Sequence, residues 1–298
     1  MNRPFRYWFS LALLLAIASP HVAQHPAAIA QRATPVPLQN VSGINELNQG
    51  LQLIQQGQVD AAIASFRRAI QLNPRLAAAH YNLGLALRQK GQLQEAANAF
   101  YQATVADPQF ALAFANLGAA LLEGNNLNLA EQYLQRAIQL DGSMSLAHYN
   151  LGLVRRLQGK RPEAIASFQR AVQLSSNAAE PSYHLGVLYQ EQGQLPQAIA
   201  ALQRAVQLKP NYAEAHYSLG SIYFQQNRLA EALNAFRRSA EANPSYANAY
   251  YGAGLVFIRQ NNPSEARRVL QYARDLFNAQ GNRQWATSAA QLLQQMQQ

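Results

Sequence analysis

His80, His148 and His216 are the one set of candidate metal ligands or general bases that recurs at a fixed interval, 68 residues apart. Asn48, Asn82, Asn116 and Asn150 recur every 34 residues, and Tyr81, Tyr149, Tyr183, Tyr217 and Tyr251 stand one residue ahead of the same slot. A carboxamide is both donor and acceptor, so a row of them can hold a peptide backbone by its N–H and C=O groups without reading side chains. A phenol adds large contact area at low entropic cost, with a hydroxyl that can stay hydrated. Arg88 and Arg156, on the same segments, add a preference for an acidic ligand. A second basic row, Arg68, Arg136, Arg170, Arg204 and Arg238, has the spacing to neutralise a polyanion with steep salt dependence. These are the groups of a binding surface rather than of a reaction.

Composition removes most catalytic alternatives. The chain has no cysteine, which excludes disulfides, thiolate zinc sites and a thiol nucleophile. Nothing in it resembles a nucleophile–base pair, a phosphate loop or paired carboxylates, so no enzyme activity, cofactor or metal is expected. Apolar residues make up 49% and charged residues only 13%, against about 25% charged in ordinary domains. The missing polarity is supplied by 37 glutamines, so the hydrated faces are largely uncharged, although the net charge is +9.

The elements that position these side chains follow from a 34-residue period. Glycine recurs at Gly50, Gly84, Gly118, Gly152, Gly186, Gly220 and Gly254, with alanine twelve residues later at Ala62, Ala96, Ala130, Ala164, Ala198, Ala232 and Ala266. Seven units result: 43–76, 77–110, 111–144, 145–178, 179–212, 213–246 and 247–280. Within a unit, His80, Leu83 and Leu87 have helical spacing, Gly91 interrupts, and Ala96, Phe100 and Ala103 resume it. Gly57, Asn125, Gly159, Gly193, Asn227 and Asn261 share the Gly91 slot and are the residue types that tolerate a left-handed helix end. Pro162, Pro196 and Pro263 open second helices, and Pro74, Pro108, Pro210 and Pro244 close them. The small pair Gly84 and Ala96 is expected to let the hairpin axes approach closely. Residues 281–298 are expected to form a capping helix with Trp285, Ala289, Leu292 and Met296 on one stripe. With neighbouring first helices about 10 Å apart, the three histidines stand about 20 Å from one another and cannot share a metal whose ligands lie at about 2.1 Å; they fall instead in a bulky packing slot.

The N-terminal thirty residues read as an address. Arg3 and Arg6 precede the apolar stretch Trp8 to Ala18, which is too short to span a bilayer but fits an export signal, with cleavage expected after Ala28-Ile29-Ala30 and an uncleaved anchor as the alternative. Residues 31–42, with Pro35 and Pro37, read as an extended linker. The expected location is therefore exported, either periplasmic or extracellular.

The repeat resembles the tetratricopeptide repeat (TPR). That motif has a bulky residue at position 4, Leu-Gly at 7 and 8, Ala at 20, an aromatic at 24, Ala at 27 and Pro at 32, and His80, Leu83-Gly84, Ala96, Phe100, Ala103 and Pro108 fit it. Gly142, Ser176 and Asn278 depart from the final proline, and Ala253 departs at position 7. The resemblance implies an all-α fold, a right-handed α-α superhelical solenoid of seven helix hairpins plus the C-terminal capping helix. It also implies a concave groove, lined by first helices, that holds a partner's peptide. The asparagine row is similar to the ladder with which some members hold polypeptide backbones, and His184, Ser218 and Gly252 interrupt it. Other members clamp a C-terminal carboxylate through Lys at position 2, but position 2 here holds Ile44, Ala78, Leu112, Leu146, Glu180, Glu214 and Asn248, so no such clamp forms. The expected function is a non-catalytic scaffold that binds a partner protein or peptide through Asn48, Asn82, Asn116, Asn150, Tyr81, Tyr149, Tyr183, Tyr217, Arg88 and Arg156. The alternatives are binding of an anionic polymer or membrane surface through the outer arginine row, and self-association through the end faces. No nucleic-acid partner is expected.

Overall fold

A computed structural model describes residues 38–296, with side chains from Val41 onward. The segments expected to form an export signal and the linker as far as Pro37, together with Gln297 and Gln298, lie outside the described residues. The described residues form helices and turns without strands. In chain order the pairs are α1 (Leu38–Gln55) and α2 (Val59–Leu72), α3 (Ala77–Gln89) and α4 (Leu93–Ala106), α5 (Ala111–Glu123) and α6 (Leu127–Leu140), α7 (Ser145–Leu157) and α8 (Arg161–Leu174). They continue as α9 (Ala179–Glu191) and α10 (Leu195–Leu208), α11 (Ala213–Gln225) and α12 (Leu229–Ala242), α13 (Ala247–Arg259) and α14 (Pro263–Ala279), and α15 (Arg283–Gln295) ends the stack. The linker expected over 31–42 stops short: α1 already begins at Leu38, because no proline or glycine follows Pro37 until Gly43.

Local chemistry sets each boundary. Gly57, Gly91, Gly159 and Gly193 adopt positive φ between the helices of their hairpins, as do Asn125, Asn227 and Asn261 in the same slot. After α2, α4, α6 and α12 the second helix ends in an extended residue whose side chain makes an Asx turn. Asn73, Asp107, Asp141 and Asn243 each accept, through Oδ1, the backbone N–H two residues on, at 3.1, 2.9, 2.9 and 3.0 Å. Only α14 and α15 carry a side-chain N-cap among the helices whose N-caps are described, from Asn262 and Asn282. The remaining helices therefore depend on burial of their apolar faces rather than on capping.

That burial is repetitive. Ala62, Ala96, Ala130, Ala164, Ala198, Ala232 and Ala266 are fully buried, and so are Phe66, Phe100, Leu134, Phe168, Leu202 and Leu270. The closest approach within a hairpin is made by a glycine against the large residue at position 24, with the carbonyl of the position-20 alanine also close, at 3.2 Å from a Cβ on Gly118 or Gly186. A Cβ on Gly84 would stand 2.6 Å from the Phe100 ring, and one on Gly152 2.6 Å from Phe168. In the last unit Ala253 replaces the usual leucine and Gly252 seats on Phe236, leaving a crevice of about 800 Å³ lined by Leu233, Tyr250, Phe257 and Val269.

Each second helix packs on the first helix of the next unit, and successive first helices also touch: α1 with α3, α5 with α7, α9 with α11 and α11 with α13. No two second helices pack to that extent among the described residues. Closer spacing of the first helices makes their outer stripe the inner, concave side of the stack. The terminal helix buries Ala289 of the expected stripe together with Ala286 and Leu293, while Leu292 and Met296 are half-buried and Trp285 is exposed. Trp285 is exposed at one face and stacks on Phe277 at 6.0 Å with the other, because the aromatic end of α14 needs a flat cover more than a small one.

Candidate functional site

The concave stripe of a first helix is built from positions 2, 5, 6, 9 and 12 of the repeat, which recur at helical spacing along one face. In α3 these are Ala78, Tyr81, Asn82, Leu85 and Arg88, and in α7 Leu146, Tyr149, Asn150, Leu153 and Arg156. The structure therefore brings the predicted asparagines, tyrosines and two arginines onto one side of the stack, but it assigns them unequal tasks.

The asparagine row is not uniform. Asn48 is exposed, Asn82 and Asn116 are half-buried, and Asn150 is buried. Asn82 Nδ2 donates to the Ala78 carbonyl at 2.8 Å, and Asn116 Nδ2 donates to the Leu112 carbonyl at 2.9 Å and to the Tyr81 hydroxyl at 3.2 Å. Both hydrogens of the Asn116 amide are thereby used, and its Oδ1 is what remains for a ligand. The expected two-way carboxamide thus becomes chiefly an acceptor at this rung, because the backbone carbonyl four residues back lies within its reach. The buried carboxamide of Asn150 makes no hydrogen bond among the described residues.

The tyrosines are less wet than their type suggested. Three of the rings lie against the aromatic at position 24 of their own hairpin, at 5.8 Å for Tyr81 on Phe100, 5.9 Å for Tyr149 on Phe168 and 5.7 Å for Tyr217 on Phe236. On the other side stands the residue that ends the unit: Phe110 at 4.9 Å from Tyr81, Tyr212 at 4.9 Å from Tyr183 and Tyr246 at 5.6 Å from Tyr217. Burial pushes the phenols of Tyr81, Tyr212, Tyr217 and Tyr246 upward, so they stay neutral. Phe110, Tyr212 and Tyr246 were missed by sequence reasoning; their shared place as last residue of a unit was the available signal.

His184 occupies the fifth asparagine slot and repeats the bond made by Asn116. Arg156 Nη1 donates to Nδ1 at 3.0 Å, which leaves the proton on Nε2, and Nε2–H donates to the Tyr149 hydroxyl 3.4 Å away. The ring stacks on Phe168 at 5.2 Å. Burial, with a smaller effect of Arg156, depresses the imidazole to about 3, so it is neutral. Tyr149 is buried by this arrangement, and both it and Arg156 serve the joint between units before any ligand. Arg88 likewise is paired, with Glu123 on the next first helix. Both arginines thus have partners within the stack, Arg156 keeping its charge beside a neutral imidazole.

The remaining histidines share a different task. His80, His148 and His216 donate from Nε2 to the carbonyls of Pro74, Gly142 and Pro210, at 2.9, 3.3 and 2.8 Å, securing the turn between units. On the second helices, Arg68 pairs with Glu46 at 2.9 Å and Arg238 with Glu241 at 3.5 Å. Arg136, Arg170 and Arg204 meet no carboxylate among the described residues; Arg136 instead lies over the Phe114 ring, 5.9 Å from its centre.

The family model of the Cilia and flagella-associated protein 70 C-terminal domain matches residues 39–255, and that of the Tetratricopeptide repeat matches residues 223–292. No curated protein matches the chain in sequence. Among solved structures, YrrB, described as a TPR protein with an unusual peptide-binding site, is 29% identical with a TM-score of 0.55 over 65% of this chain and 99% of its own. MamA is 28% identical with a TM-score of 0.51, over 55% of this chain and 96% of its own. The pilF protein of Pseudomonas aeruginosa, at 20% identity, shares the fold with a TM-score of 0.63 over 71% of this chain and 96% of its own.

Proposed function

The chain belongs to the tetratricopeptide-repeat family, and from that membership we propose that it is a non-catalytic scaffold holding a partner polypeptide in the concave groove of its right-handed solenoid. The observation that carries this reading is the row of oriented amides. Asn82 and Asn116 are fixed by bonds to their own helices with Oδ1 left over, and Asn150 keeps its bonding capacity. With rungs about 10 Å apart and about 3.3 Å per residue of extended chain, each rung serves about three residues of a bound strand. Peptide binding by the similar YrrB supports the same use. Export remains part of the proposal on the strength of Arg3, Arg6 and the apolar stretch Trp8 to Ala18.

Proximity labelling in the native host, followed by mass spectrometry, supplies the partner. Replacing Asn82, Asn116 and Asn150 together by Ala is expected to weaken its binding at least about tenfold, from about 0.5 to 1.5 kcal/mol per lost hydrogen bond, while helicity stays unchanged and melting falls only by what the Asn116–Tyr81 bond between units contributes. Undiminished affinity would remove the ladder. A second reading is favoured by the unpaired Arg136, Arg170 and Arg204 on the second helices. If the outer surface binds an anionic polymer, changing these three to Gln abolishes salt-sensitive retention on heparin and leaves the groove partner bound.

A further inference from the structure

Position 2 of the repeat changes character midway along the groove. In the first four units it holds Ile44, Ala78, Leu112 and Leu146; in the next two it holds Glu180 and Glu214. Ala78 is half-buried against the core, but the other three are not packed away. Ile44 is 44% exposed, Leu112 43% and Leu146 64%, and Leu51 and Leu85, one turn pair farther along the same stripe, are exposed as well. Isolated exposed leucines are ordinary, but five on the same concave stripe of consecutive first helices make a continuous apolar lane.

The acidic half differs in its surroundings too. Glu180 and Glu214 open α9 and α11 beside Tyr183, Tyr212, Tyr217 and Tyr246, and Glu214 has no cationic partner among the described residues. Glu180 is approached by Lys209 at 3.4 Å, and the same ammonium lies over the Tyr212 ring, 4.6 Å from its centre. An ammonium on a tyrosine face beside a carboxylate is therefore already accommodated at this place. Glu191, one residue past the stripe on α9, pairs with Arg161 at 3.4 Å. Farther along, Arg259 lies over Phe224 at 4.4 Å, and the upstream Arg88 and Arg156 are engaged by Glu123 and His184. Arg156 and Arg259 face no carboxylate among the described residues and keep their charge, so the acidic character of units 5 and 6 is confined to the starts of α9 and α11, where Glu214 is unopposed.

We infer that the groove selects a partner segment with two parts, aliphatic side chains against Leu112 and Leu146 followed by lysine or arginine side chains against Glu180 and Glu214. This rests on the groove being the peptide site. Four successive rungs span about 30 Å, so the two parts fit within about ten extended residues. Which end of the segment leads is left to the asparagine contacts.

The test uses the full chain and three fluorescein-labelled synthetic peptides of equal length, followed by anisotropy. One carries two Leu and then two Lys at three-residue spacing, the second replaces Lys by Glu, and the third replaces Leu by Ser. The Leu/Lys peptide is expected to bind about tenfold more tightly than the Leu/Glu peptide, as two exposed charge contacts allow, even though the net charge of +9 favours the acidic one. Glu180→Gln with Glu214→Gln should shrink that ratio to below about threefold with the circular dichroism unchanged, and Leu146→Ser should weaken both Leu peptides equally. Peptides that bind without distinguishing Lys from Glu overturn this inference alone. If none of the three binds, it falls together with the groove reading.

Discussion

At position 6 of the repeat, side chains of similar reach either wait for a ligand or close the joint between units. Asn116 and His184 both donate to a tyrosine hydroxyl on the preceding first helix, while Asn150 does not. The recurrence of Asn and Tyr was legible because each returns every 34 residues. Their bonding was not, because partners 35 residues apart meet only once the units are stacked. His184 makes the joint sensitive to acid. Its folded value of about 3 lies below the ordinary histidine value of 6.5, so the unfolded chain takes up the proton more readily. Its stabilisation is complete above pH 6.5 and is lost progressively as the pH falls toward 3. Between pH 6.5 and 5, before most carboxylates titrate, the urea midpoint should drop by the equivalent of about 1–2 kcal/mol. His184→Asn, which restores the asparagine of the earlier units, should reduce the slope over that interval to the smaller part supplied by His148, whose imidazole burial also depresses; equal slopes in the two proteins would show that the His184 imidazole is not the sensor.

The helix hairpin was the most readable element. Its glycine, alanine, proline and αL positions each have a local steric reason, and the period locates them all. The packing within the hairpin was only partly foreseen: the glycine meets the large residue at position 24, one turn beyond the recurring alanine, and at Gly118 and Gly186 that alanine's carbonyl as well. The consequence is measurable. Gly152→Ala gains about 1 kcal/mol of helix propensity but drives a methyl to 2.6 Å from Phe168, and overpacking of that kind costs about 1–3 kcal/mol. A net loss in thermal midpoint is expected. Gly142→Ala, whose Cβ would meet only the Ile138 carbonyl at 3.6 Å, should leave the midpoint within error. A Gly152→Ala protein as stable as the parent would mean that the hairpin yields at no cost. The ends of the stack were less legible. The start of α1 and the register of α15 depend on what lies beside them, and a single terminal copy has no period to fix its phase.

Over the whole stack, the seven units place one chemistry on the inner side and another on the outer. First helices present amides, aliphatic side chains and two carboxylates, while second helices carry the unpaired Arg136, Arg170 and Arg204. Curvature toward the first helices was implied by the family resemblance and follows from their closer contact, but the change from aliphatic to acidic along position 2 acquires meaning only when those residues are seen to share a lane. The most direct measurement is site-specific photocross-linking in the native host, with benzoylphenylalanine placed at Leu146 on the inner side or at Arg170 on the outer. Protein adducts at 146 that disappear when Asn82, Asn116 and Asn150 are changed to Ala, with none at 170, are the predicted result. Adducts at 170 alone would contradict the groove as the binding surface.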